Sequence, residues 1–398
     1  MRGLRVATLL VAIVPGILPA RVSARLMAAD AGPAASPWKM PEFMISFWGG
    51  PKDDASAEAV VLSGFNTVMC KSEKLDLCRR HGLKALLFDA TPELAAKLRE
   101  EKAVWGYCLQ DEPSNERFPV LAESAAAFRR ADPKHPVYIN LGWKACPRTF
   151  VETIRPQVLS YDEYWWWWKG DYFPMLEEYR SVAQSVGIPL VCWVEANAGP
   201  DSEMGPAKIR LSDNLAKLRY SVYCPLAYGV QGIQWFVDRL IFNGNRLTPA
   251  GEDVAAINAD LKRLGPILMR LRSLDVYHVA APDVPKNTRR LPHHYWVQTA
   301  TSDTILGTFK DAEDRDFLMV VNRKVDKEQP AVLRFGRPVT AVERLEKRTG
   351  NWVGLPLVNA EQFDKREEWA KLLALRRRGR LAVELTLSPG DGELLRIR

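Results

Sequence analysis

From Met40 to about Arg272, short apolar runs alternate with amphipathic stretches, and this alternation sets the expected architecture. The runs are Phe43–Trp48, Phe65–Cys70, Leu83–Asp89, Val104–Gln110, Val137–Leu141, Val158–Asp162, Leu190–Glu195 and Gly232–Val237. They are rich in β-branched and aromatic residues and nearly continuous in hydrophobicity, the signature of parallel strands covered on both faces. Between them, Glu73–Arg80, Pro92–Glu101, Phe118–Arg130, Tyr172–Val186 and Ile209–Tyr223 carry apolar residues at spacings of three and four, as helices do. Thr91-Pro92 and Thr248-Pro249 each place a capping hydroxyl before a proline at the first helical position. The second of these opens a last helix expected to run to about Arg272. Eight strand–helix units over about 230 residues predict a (β/α)8 barrel. A doubly wound open sheet would need a glycine-rich phosphate turn after its first strand, and Trp48-Gly49-Gly50-Pro51 lacks that spacing.

Beyond Arg272 the period changes. Tyr295–Ala300, Thr304–Phe309, Phe317–Asn322, Ala331–Phe335, Ala341–Glu346, Leu381–Leu387 and Gly392–Ile397 read as short strands, punctuated by turns such as Pro389-Gly390-Asp391-Gly392. They predict a small antiparallel β-sandwich over residues 273–398, behind a barrel over 39–272. Lys365–Arg378 reads as a charged helical insertion. At the other end, Arg2 and Arg5 precede an apolar stretch from Ala7 to Ala20 and the small residues of Val22-Ser23-Ala24. That order predicts a secretory signal peptide over 1–24, a flexible leader over 25–38, and a secreted or periplasmic protein. Pro15 and the short apolar length argue against a membrane span.

Composition narrows the function. The net charge of +7 is modest for 398 residues, and the run Arg376, Arg377, Arg378 and Arg380 reads as a solvated helix end. No nucleic-acid module accompanies it, so no nucleic-acid partner is expected. Six scattered cysteines without a Cys-x-x-Cys pair exclude zinc-finger and thioredoxin readings and leave room for one unassigned disulfide. None of the five histidines pairs with a carboxylate at metal-ligand spacing, so neither a metal nor a cofactor is expected.

Barrel enzymes hold their catalytic groups at the C-terminal strand ends. There the chain places Asp89 on strand three, Asp111-Glu112 on strand four, Tyr161-Asp162-Glu163-Tyr164 on strand six, Glu195 on strand seven and Trp235 on strand eight. A carboxyl-rich, aromatic mouth suits sugar hydrolysis, in which one carboxyl protonates the leaving oxygen and rings stack on the sugar.

These strand-end residues carry a resemblance to the clan A glycoside hydrolases, which include the family 42 β-galactosidases and family 5. The resemblance implies Glu112 as acid/base and Glu195 as nucleophile of a retaining glycosidase, with carbohydrate as substrate. It further implies Tyr164 or Tyr161 beside the nucleophile and Trp235 beneath the reacting sugar. Asn140, Asp162, Asp89 and Trp48 are candidate hydroxyl or stacking contacts, and Trp165 belongs to a run of four tryptophans that suggests a sugar-binding wall. The chain departs from the clan at Asp111, where an asparagine normally contacts the 2-hydroxyl. Aspartate accepts that bond but cannot donate one, and its charge helps keep Glu112 protonated. The plainer readings are a surface carboxylate for Glu112, a buried ion-paired one for Glu195, and a catalytically silent carbohydrate-binding barrel for the whole.

Overall fold

The computed structural model describes residues 38–168, 172–198, 213–279, 284–299, 301, 303–363 and 381–398. The expected signal peptide, almost all of the leader, the insertion at 365–378 with its arginine run, and the first residues of the helix expected at 209–223 lie outside them.

Eight parallel strands form one sheet: β1 (Met44–Phe47), β2 (Thr67–Cys70), β3 (Lys84–Leu87), β4 (Val104–Asp111), β5 (Val137–Leu141), β6 (Leu159–Asp162), β7 (Leu190–Glu195) and β8 (Gly232–Phe236). Each pairs with its sequence neighbour, and β8 pairs in parallel with β1. Backbone bonds from Asn66 N to Ile45 O (3.1 Å) and Met69 N to Gly49 O (3.0 Å) join β1 to β2 and close the barrel. Around it lie α1 (Asp54–Leu62), α2 (Leu75–Arg80), α3 (Pro92–Leu98), α4 (Phe118–Ala131), α5 (Pro147–Ile154), the single turn α6 (Trp165–Trp168), α7 (Tyr172–Val186), α8 (Asn214–Ala227), the short α9 (Asp238–Ile241) and α10 (Pro249–Leu268).

Strand alternation sorts the side chains into two layers. Met44, Met69, Leu86, Trp105, Tyr138, Val191 and Trp193 fill the interior. Ile45, Phe47, Val68, Ala85, Ile139, Tyr161, Cys192, Val194 and Trp235 face the helices. The helices α1 and α5 lie outside the helical stretches expected from the sequence. The segment forming α1 is weakly amphipathic and starts instead on a capping box, with Ser56 N donating to Asp53 Oδ1 (2.8 Å) and Asp53 N to Ser56 Oγ (2.9 Å). Pro147 opens α5. The last helix ends at Leu268, short of the expected Arg272, because Arg272 already pairs in the next sheet.

A two-stranded hairpin, β9 (Phe242–Asn243) and β10 (Arg246–Leu247), precedes α10. After α10 come β11 (Arg272–Val279), β12 (Val297–Thr299), β13 (Thr304–Lys310), β14 (Asp316–Asn322), β15 (Gln329–Phe335), β16 (Val342–Glu346), β17 (Asn351–Leu355), β18 (Val358–Asn359), β19 (Leu381–Leu387) and β20 (Gly392–Ile397). They form two antiparallel sheets, ordered β11-β13-β14-β20-β16-β17 and β12-β15-β19-β18. Alternation decides what each face meets. Ile305, Phe317, Met319 and Val321 join the barrel's outer core, whereas Leu306, Leu318 and Val320 pack against Leu333, Val383 and Leu385 of the second sheet. The first sheet is therefore buried on both faces, a sandwich seated on α8.

That seat tolerates no side chain at Gly307, where an added Cβ would lie 2.2 Å from the Ala227 carbonyl oxygen at the end of α8. Gly307→Val is expected to cost about 1–3 kcal/mol, as overpacking of a closed contact does. Guanidinium denaturation checks this, and an unchanged midpoint would show that the sheet does not bear on the helix there.

Candidate active site at the C-terminal face of the barrel

The site grows out of the barrel interior. Tyr138 of β5 is wholly buried, and its hydroxyl accepts from Trp193 Nε1 (2.8 Å) and lies within donating reach of both Ser160 Oγ (2.7 Å) and Gln234 Oε1 (2.8 Å). Ser160 Oγ donates to Asn140 Oδ1 (2.9 Å), and Asn140 Nδ2 donates to Asp111 Oδ1 (3.1 Å). A line of hydrogen bonds thus climbs from the packed interior to the strand-four carboxylates. A bulge between Cys108 and Gln110 re-aims the end of β4, so that Asp111 stands opposite Asn140 in the register.

Glu112 follows immediately. Its N–H donates to Asn140 O (2.9 Å), and its backbone then turns into the left-handed region at φ 42°. Such a conformation is costly for a non-glycine residue and is retained mainly where function or surroundings demand it. Across from it, a Cβ on Gly142 would come within 3.0 Å of the Glu112 carboxyl carbon, so the bare glycine makes the room in which this carboxyl sits.

Beside Glu112 in the same cavity wall is Asp162 of β6, which is buried and 3.4 Å from the Tyr164 hydroxyl that donates to it. Burial first, then the hydrogen bond and charge of Glu112, push the Asp162 carboxyl up to about 9. The Asp162 carboxyl therefore favours its protonated form through neutral pH. Asp111 is also raised, by desolvation of its carboxyl and by Glu112 beside it, against the opposing bond from Asn140.

Glu112 and Asp162 border a cavity of about 1060 Å³ whose rim carries Trp143, 70% exposed, and Tyr164. Its lining also includes Glu163, Glu177 and Glu178 and, among the described residues, no lysine, arginine or histidine. A second cavity of about 830 Å³ opens beside it, between the ends of β1, β2, β3, β4 and β8, with Trp48, Lys71, Phe88 and Asp111 among its walls. Trp48 packs near Trp193 (5.5 Å) and Phe236 (6.3 Å), and Tyr164 near Trp167 (4.8 Å) and Phe236 (5.5 Å), giving the mouth an aromatic floor.

Four expected contacts stand elsewhere. Glu195 is wholly buried and borders neither cavity; its Oε1 accepts from Ser221 Oγ of α8 (2.9 Å) and from Trp166 N (3.2 Å), while Oε2 has no hydrogen-bond partner among the described residues. Its carboxyl has turned from the interior toward the helices. Trp235 lies in the outer layer, with Nε1 donating to Asn258 Oδ1 of α10 (2.9 Å), so Phe236, one residue on, takes the mouth-facing place. Asp89 braces the turn after β2 by accepting from Ser72 N (2.8 Å) and Ser72 Oγ (2.9 Å). Trp165 packs among Tyr172, Phe173 and Tyr220 in the layer outside the barrel. Of the tryptophan run, Trp167 alone among the described side chains reaches the aromatic floor, next to Phe236 (6.1 Å); Trp168's side chain lies outside the described residues. Tyr161 stacks on Tyr179 (4.4 Å) behind its strand, leaving Tyr164 as the mouth tyrosine. Trp143, in contrast, escaped notice, although Gly142-Trp143-Lys144 directly follows strand five.

Among the described residues, no group of three or more His, Cys, Asp or Glu side chains is disposed to hold a metal ion, and no helix is long and apolar enough to cross a membrane.

No known protein family matches the sequence, and no curated protein sequence matches it. Solved structures similar to the chain include a GH51 arabinofuranosidase from Xanthomonas axonopodis pv. citri, at 12% identity and a TM-score of 0.43 over 86% of this chain and 89% of that one. A β-glucuronidase from Lactobacillus rhamnosus is similar at 11% identity and a TM-score of 0.40, over 55% of this chain and 50% of that one. A family 5 mannosidase from Rhizomucor miehei is similar at 10% identity and a TM-score of 0.39, over 57% and 94%. The barrel itself rests on the strand order and registers given above.

The burial of Glu195 has a measurable consequence. Desolvation pushes its carboxyl up to about 7, so the folded chain holds that proton more tightly than the unfolded chain does. The corresponding stability is fully present below the ordinary glutamate value and is lost as pH rises through about 7. Glu195→Gln removes this loss. Denaturant midpoints taken across that range are expected to favour the variant increasingly, by on the order of 3 kcal/mol above neutrality. A constant difference would show that Glu195 is solvated or charge-paired.

Proposed function

We propose that the chain is a glycoside hydrolase in which Asp162 stores a proton, Glu112 delivers it to the leaving oxygen, and water bonds to the anomeric carbon and returns a proton to the Glu112–Asp162 pair. The observation that carries this reading is the Glu112–Asp162 pair at the edge of the Trp143–Tyr164 cavity. Burial assigns the resting proton to Asp162, from which it passes to Glu112 in the same cavity wall. Glu112, exposed at the strand end, presents it to the substrate. Asn140 and Gly142 hold the relay in place, the first through Asp111 and the Glu112 N–H, the second by leaving space. Trp143 offers the apolar platform that the face of a sugar ring uses.

This reading departs from the clan pattern at the second carboxylate. A retaining mechanism sets its two carboxyls roughly 5–5.5 Å apart. Asp162 lies beside Glu112 in the same cavity wall, and Glu195 is enclosed against Ser221. The five carboxylates of the larger cavity, with Glu177 paired to Arg180 at 3.2 Å, favour a neutral or amino-bearing sugar over a uronic acid. An exported location belongs to the same proposal, resting on the basic, apolar and small segments of residues 1–24.

A second reading, a carbohydrate-binding barrel without turnover, is favoured by the enclosure of Glu195. Neutral, amino and uronic aryl glycosides, together with oligosaccharides, separate the two. Glu112→Gln and Asp162→Asn are each expected to lower kcat/KM by about 10²–10⁴ on a neutral or amino glycoside. Glu195→Gln is expected to retain most of it. Equal collapse in Glu195→Gln would restore that residue as nucleophile, and saturable binding without turnover in the wild type would establish the silent barrel.

A further inference from the structure

Cys70 ends β2 and Cys78 lies in α2, and their sulfurs are 3.9 Å apart, both buried. Among the described residues, no other two of the six cysteines come into sulfur contact: Cys146 accepts instead from Thr149 Oγ1 (3.2 Å), and Cys108, Cys192 and Cys224 line separate strand and helix faces. We propose that Cys70 and Cys78 are joined by a disulfide that clamps the wall of the mouth cavity.

Three features of the geometry support the bond. A single helical turn at residues 72–74 connects strand to helix, so the short segment between the cysteines already brings their sulfurs together. Closing the gap to a disulfide length of about 2.05 Å asks each sulfur to move about 1 Å, a side-chain adjustment rather than a backbone one. Cys70 also lines the cavity of about 830 Å³, so a small oxidant reaches the pair without unfolding the barrel.

The oxidant is itself a disulfide, either a low-molecular-weight one of the glutathione type or the active-site disulfide of an oxidoreductase. One thiolate of the pair attacks it, forming a mixed disulfide and releasing one thiol. The second thiolate displaces the other half, closing Cys70 to Cys78 and releasing a second thiol. Two cysteine thiols are oxidised, one external disulfide is reduced, and the two protons leave on the two released thiols.

The bond would tie down a specific part of the mouth. The segment it closes contains Lys71, Glu73 and Lys74, all lining that cavity, as well as Ser72, the group held by Asp89. The turn would then be fixed at its two ends by the disulfide and in its middle by the Asp89 carboxylate.

The test is oxidation of the purified full chain with oxidised glutathione, followed by alkylation under denaturing conditions and peptide mass mapping. The expected result is a Cys70–Cys78 cross-linked peptide with the other four cysteines alkylated. A thermal midpoint about 2–5 °C above that of the dithiothreitol-reduced protein should accompany it. Cys78→Ala should lose both the cross-link and the response to reductant. Alkylation of both Cys70 and Cys78 after oxidation of the folded protein, or a cross-link joining a different pair, would overturn the proposal.

Discussion

Everything at the mouth depends on how the barrel satisfies one buried hydroxyl. Tyr138 stands in the middle of a closed parallel barrel where no solvent reaches it, and an unpaired hydroxyl there would be costly. Ser160, Gln234 and Trp193, from β6, β8 and β7, meet it. This fixes the relative height of four strands through a single oxygen. Because Ser160 also binds Asn140, and Asn140 binds Asp111, the same constraint sets where the β4 and β6 carboxyls come to rest. The polar line runs without a gap from Trp193 through Tyr138, Ser160 and Asn140 to Asp111.

The outer layers serve that arrangement. The helices cover the strands' outward residues, and α8 is held in turn by the first sheet of the sandwich, whose alternating side chains divide between the barrel and the second sheet. A sheet buried on both faces cannot slip its register by one residue without turning every apolar side chain to the wrong partner. The sandwich thus stabilises the barrel from behind, while the opposite, C-terminal strand ends remain open for chemistry.

The sequence made much of this legible. All eight barrel strands could be read because parallel strands buried on both faces are nearly unbroken apolar runs, and the strand-end rule singled out Asp111, Glu112 and Asp162. What it could not supply was side-chain direction at the ends. Trp235 and Phe236 are both large and aromatic, so composition does not say which faces the helices; the register to Phe47 and the bond to Asn258 do. Glu195 shares its alternation with Val191 and Trp193, which point inward, yet its carboxyl is captured by Ser221 and the Trp166 N–H. Asp89 sits at a strand end as expected, but a local serine takes both of its oxygens. In each case a nearby polar group outcompeted the open mouth, and such contacts leave no periodic trace. β11 and α1 escaped for the related reason that caps and paired edges, more than apolar period, define them.

In the proposed mechanism, a proton held at Glu112 and Asp162 is what separates an acid-delivering site from a mere cluster of carboxylates. Infrared difference spectroscopy of the carboxylic-acid carbonyl band, recorded on the wild type and Asp162→Asn from about pH 6 to pH 9, observes that proton directly. A protonated-carboxyl band that persists after Glu195 has ionised near 7, fades only toward about 9 and is missing above that first transition in Asp162→Asn would place the proton on this pair. A wild-type band that is gone once Glu195 has ionised, or that Asp162→Asn leaves unchanged above that transition, would contradict it.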